Sequence, residues 1–61
     1  MEQYSIQSVD RTFQLLETIS LHPQGMQLTE LASQTGLNKS TAYRLLASLI
    51  AHGYVIKDSR N

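Results

Sequence analysis

Positions 39–44 hold Lys39, Ser40, Thr41, Tyr43 and Arg44, two cations and three hydroxyls within two turns of a potential helix. Such groups bind rather than react. A guanidinium can form paired hydrogen bonds to a guanine edge or clasp a phosphate, an ammonium can neutralise a phosphate, and hydroxyls help to hold a helix in register. A reaction would need other partners. Ser and His occur in the chain, yet no nucleophile elbow, Gly-rich phosphate loop or paired carboxylates accompany them, and 61 residues leave no room for a proper pocket. His22 and His52 have no third ligand at metal spacing, so no enzyme, cofactor or metal site is expected.

The element carrying these side chains should be a helix over 39–52 that stops at Gly53. At 3.6 residues per turn, Ala42, Leu45, Leu46, Leu49 and Ile50 fall on one face, which must be core. Ser40, Arg44, Ala47, Ser48 and Ala51 fall on the other, with Thr41 and Tyr43 at the edges. An ordinary solvated face would alternate long acids and bases. Here small residues surround one Arg, which lets the helix backbone approach a partner closely.

A shorter helix is expected just before it, over 29–35, with Thr29 as its N-cap and Leu31, Ala32 and Thr35 turned inward. Gly36 stands where a left-handed residue closes a helix, Leu37 follows as a buried plug, and Asn38 can cap the next helix. Ala32 and Gly36 are the diagnostic pair. A larger side chain at the first would push the two helices apart, and a Cβ at the second would strain the turn. Two helices joined so tightly form a helix-turn-helix, the arrangement that presents a helix to the major groove of DNA.

The first helix should run over 8–21, capped by Ser8, with Val9, Phe13 and Leu16 at helical spacing and Leu15 and Ile19 widening the apolar face. That wide arc is either plain core or a dimer contact. His22-Pro23-Gln24-Gly25 ends the helix. Residues 26–28 then alternate like a very short strand, whose partner would be 54–57.

A chain of this size hides only about 60% of the surface its unfolded form exposes, and with no cysteine there is no disulfide to help. Its net charge is zero, but the charges are not mixed. Up to Gly36, Arg11 stands alone against Glu2, Asp10, Glu17 and Glu30; after it, Lys39, Arg44, Lys57 and Arg60 face only Asp58. The basic half contains the helix with the outward Arg, which points to an anionic partner. No apolar run approaches the roughly 20 residues of a membrane span, and the start lacks a signal peptide's order. A soluble cytoplasmic protein with no membrane partner is the expectation.

Taken in order, Ser8-Val9-Asp10-Arg11, Leu28-Thr29-Glu30-Leu31-Ala32, Thr35-Gly36-Leu37-Asn38-Lys39-Ser40-Thr41-Ala42-Tyr43-Arg44-Leu45-Leu46 and Gly53-Tyr54-Val55 resemble the N-terminal domain of the IclR family of bacterial transcription regulators. The resemblance runs from about Ile6 to Asp58. Many relatives have Pro where this chain has Asn38, and either residue can begin a helix. It implies a mainly α fold with a small β element, a three-helix winged helix-turn-helix filling 1–61, with the wing cut short at the C-terminus. The effector-binding domain of the family would be missing.

The resemblance further implies double-stranded DNA as partner, an inverted-repeat operator, a homodimer or higher homo-oligomer in the full-length protein, and a small-molecule effector bound by the missing C-terminal domain. Under it, Ser40 and Arg44 face base edges, while Lys39, Thr41 and Tyr43 position the helix on phosphates. Thr29 reaches a phosphate through its amide and hydroxyl, and Lys57 and Arg60 belong to the wing. Duller roles stand beside these. Thr29 and Ser40 serve helix ends, Tyr43 packs near Leu46, Arg11 pairs with an acid such as Glu30, or Lys57 merely guards an edge strand. The competing function is a winged-helix module that docks another protein.

Overall fold

The computed structural model describes residues 4–57. Three helices follow one another, α1 (Gln7–Ser20), α2 (Leu28–Thr35) and α3 (Lys39–Ala51), each packed against the other two. One core joins them. Leu15 from α1, Leu31 and Ala32 from α2, and Ala42 and Leu49 from α3 are buried, with Leu15 and Ala42 wholly inaccessible. Ala32 and Ala42 are small, so helices α2 and α3 can draw close around them. Leu37 is half-buried and packs on the same cluster, the partial form of the expected plug.

Helix starts differ from the sequence reading in two places. At α1 the N-cap is Ile6, with Ser8 inside the first turn, because the Ile6 carbonyl already accepts from the Asp10 amide at 2.9 Å. The polar group near this end is Ser5, whose hydroxyl donates to the Asp10 carboxylate. At α2 the N-cap is Gln27, and Thr29 lies within the first turn. Glu30 reaches back so that its carboxylate accepts from the Gln27 amide at 3.4 Å, the reciprocal contact of a capping box.

Among the described residues no strand forms, so neither 26–28 nor 54–57 is the β element expected of them. Competing hydrogen bonds give the reason. The Gln27 amide and carbonyl both serve α2, the carbonyl accepting from Leu31 at 3.0 Å. At the other segment the Tyr54 amide donates to Leu49 at 2.9 Å and the Gly53 amide to Ile50 at 3.0 Å, a Schellman closure of α3. Met26 and Val55 still pack against the core as isolated side chains. No helix among the described residues is long and apolar enough to cross a membrane.

Between α2 and α3 lie three residues, 36–38, and Gly36 makes so short a reversal feasible with φ at +75°. A Cβ added there would meet nothing within 4 Å, so the constraint is conformational rather than steric. Chemical denaturation should therefore show Gly36→Ala to be about 1 kcal/mol less stable, with Gly36→Asn recovering much of the loss because Asn tolerates the left-handed region. An Ala variant as stable as the parent would contradict this account.

Candidate nucleic-acid interface

Asn38 organises the start of α3. Its backbone is extended, and its side-chain Oδ1 accepts from the Thr41 amide at 2.8 Å, satisfying one of the free donors of the first turn. The same Oδ1 accepts from the Ser40 hydroxyl at 3.0 Å. Lys39, Ser40 and Thr41 are thus the first turn of a helix whose origin is pinned by one side chain. No acid lies in that turn, so the partial positive charge of the helix N-terminus is reinforced by Lys39 alone.

Along α3 the burial follows the helical wheel. Ala42 and Leu49 are buried and Leu45, Leu46 and Ile50 half-buried, whereas Ser40, Arg44, Ala47, Ser48 and Ala51 are all exposed. Thr41 is half-buried at one edge of that face. At the other edge Tyr43 is 58% exposed, which leaves much of the residue open to a partner.

Four residues singled out from sequence come together around a groove of about 580 Å³: Thr29 from the first turn of α2, Lys39 and Tyr43 from α3, and Lys57 beyond it. Its floor is apolar, with Leu31, Leu46 and Ile50 among its residues. The N-terminal ends of α2 and α3 therefore border one cleft; the positive end of the α3 dipole is free of acids there, whereas that of α2 already holds the Glu30 carboxylate. Ser40, Thr41 and Arg44 do not line it. They form the adjoining outer surface of α3, and Arg60 lies outside the described residues.

Other polar contacts serve the frame. His22 and His52 each place Nδ1 2.9 Å from the carbonyl four residues earlier, a helix-end contact that an Nδ1-protonated ring makes as donor. Glu30, offered by sequence as a partner for Arg11, reaches instead to its own helix start. Sequence reasoning missed Gln14, whose Nε2 donates to the Thr35 carbonyl at 3.3 Å and ties α1 to the last residue of α2. No local pattern announces a bond across 21 positions. It missed Gln27 for a different reason: the Gln27-x-x-Glu30 spacing resembles a capping box, but with Gln in place of the usual Ser or Thr.

Two packed helices joined by three residues, the second with an exposed face of small residues around one Arg, make this a helix-turn-helix domain. The chain belongs to the IclR helix-turn-helix domain family, whose model matches residues 8–59. It is 36% identical over 56 residues, 92% of its length, to the HTH-type transcriptional regulator XynR of Escherichia coli, covering 22% of that protein. It is 47% identical over 49 residues to the DNA-binding transcriptional repressor YiaJ of E. coli, covering 80% of this chain and 17% of that one. To the transcriptional repressor IclR of E. coli it is 44% identical over 50 residues, 82% of this chain and 18% of that one. The chain thus spans about a fifth of the length of the curated relatives it matches. No solved structure gives a significant match.

Removal of the Asn38 side chain frees the Thr41 amide and the Ser40 hydroxyl together. Asn38→Ala should lower stability by about 1 kcal/mol, within the usual range for a lost N-cap, while Asn38→Asp should hold it. Thermal or denaturant unfolding of the two variants side by side checks this, and equal loss in both would remove the cap from the account.

Proposed function

We propose that this domain binds double-stranded DNA, with the N-terminal half of α3 in the major groove, and regulates transcription by occupying an operator. The observation that carries the reading is the exposed face of α3, where Arg44 stands among small side chains on a helix whose first turn holds Lys39 and no acid. Large or acidic neighbours would hold the helix away from a groove. The names of the relatives, two of them repressors, agree with this reading.

Roles divide according to place. Arg44 and Ser40 occupy the outer face and read base edges, Arg44 pairing with a guanine. Lys39, Thr41 and Tyr43 position the helix on phosphates. Thr29 joins them from the start of α2, where a backbone amide and a hydroxyl suit an anionic oxygen. Lys57 and Arg60 supply further backbone or minor-groove contacts. A homodimer would set two copies of α3 on an inverted repeat, one duplex turn of about 34–36 Å or a multiple of it apart. Control by a small molecule would belong to the rest of a longer protein.

Binding of the chain to random duplex at two salt concentrations tests the reading. Affinity should fall as salt rises, because phosphate contacts release counterions. Binding that is absent at low salt, or indifferent to salt, would favour a protein-docking module instead. Arg44→Ala should cost about 1–3 kcal/mol on a preferred duplex and relax its sequence preference, whereas Lys39→Ala should weaken all sequences alike and reduce the salt slope by about 1. Equal loss on preferred and random DNA for Arg44→Ala would reassign that side chain to phosphate positioning.

A further inference from the structure

A hydroxyl has one proton and two acceptor lone pairs, and at Ser40 the proton is engaged. The Ser40 Oγ donates to Asn38 Oδ1 at 3.0 Å, and the acceptor is itself held by the Thr41 amide at 2.8 Å. With its proton directed back at the helix start, the exposed oxygen of Ser40 offers only lone pairs to the outside. Arg44, one turn further along the same face, offers only donors.

We propose that Ser40 is a tethered acceptor that reads an exocyclic amino group, adenine N6 or cytosine N4, and that Asn38 is the positioning residue that makes it so. The inference rests on the DNA reading above and specifies it. In the major groove the amino groups of adenine and cytosine are the donors, while guanine and thymine present carbonyl oxygens at the equivalent place. A Ser hydroxyl free to rotate serves either class. One whose proton is held accepts from the amino class and sets oxygen against oxygen with the other. Four residues of helix advance about 6 Å, close to two base steps, so the amino-bearing base should lie within one or two pairs of the guanine read by Arg44.

Selection of bound duplexes from a random pool, carried out in parallel with the parent chain and its variants, tests the tether. Arg44→Ala marks the guanine by releasing it. The parent should restrict a neighbouring position to adenine or cytosine by about three- to tenfold, the range of one ordinary hydrogen bond. Ser40→Ala should open that position to all four bases. Asn38→Asp, which retains the acceptor, should keep the restriction. Asn38→Ala should admit guanine or thymine there, because the Ser40 proton is then free to donate. Asn38→Pro gives the same release should the Ala variant fold poorly, since the backbone φ of −72° already suits a proline ring. A parent that selects guanine or thymine at that position overturns the proposal. So does a Ser40→Ala variant with unchanged preference, or Asn38→Ala and Asn38→Pro profiles identical to the parent. A parent that binds duplex with salt dependence but loses nothing in these variants refutes the tether alone, whereas a parent that binds no duplex refutes the DNA reading as well.

Discussion

The relation of α2 to α3 depends on one backbone conformation, the left-handed φ of +75° at Gly36. Everything nearby follows from how little chain is available there. With three residues between the helices, the first must reverse direction, the second must drop a Leu onto the core, and the third must already be an N-cap. None can be exchanged with its neighbour. The core on either side is small, five buried apolar residues among those described, so the turn is held by backbone geometry and a few hydrogen bonds as much as by apolar burial.

Those hydrogen bonds concentrate at helix ends. Each helix leaves four amides and four carbonyls without intrahelical partners, and three short helices make that a large share of the backbone. Glu30 and Gln27 serve the start of α2, Gln14 reaches the last carbonyl of α2, Asn38 serves the start of α3, and Gly53 and Tyr54 close its end. The side chains of α2 and α3 proposed to touch DNA therefore stand on elements whose ends are fastened separately. A partner pressing on α3 meets a helix pinned at both termini.

Much of this was legible in the sequence, where local rules govern. Gly36, Leu37 and Asn38 are recognisable because turn conformation and capping are properties of residue type at a given offset. The division of α3 into a Leu49 face and an Arg44 face follows from periodicity alone, and the burial agrees with it residue by residue. Helix existence was likewise clear, though the N-caps of α1 and α2 lie two residues before Ser8 and Thr29. What misled were segments where two backbone uses compete. Met26-Gln27-Leu28 alternates like a strand, but α2 takes the Gln27 backbone groups; Tyr54 has strand character, but α3 takes its amide. Ser8 and Thr29 look like caps by type, yet each helix starts one residue or more earlier. The grouping of Thr29, Lys39, Tyr43 and Lys57 around one groove needed the three-dimensional arrangement, since they are scattered over half the chain.

The separation of charge has a further consequence for how such a molecule would meet a polyanion. Asp10, Glu17 and Glu30 outnumber Arg11 on α1 and α2, whereas Lys39 and Arg44 stand on α3 without an acid and Lys57 lies beyond, and the whole chain sums to zero. Electrically it is a dipole and has no net pole. A uniform field exerts no net pull on such a body, only a torque, and attraction begins where the field changes across the molecule, within about a screening length of the charged surface. Far away the domain would be indifferent to a nucleic acid; close by it would turn before it was drawn in. Orientation would then precede capture, and the face that arrives first would be the one carrying Arg44.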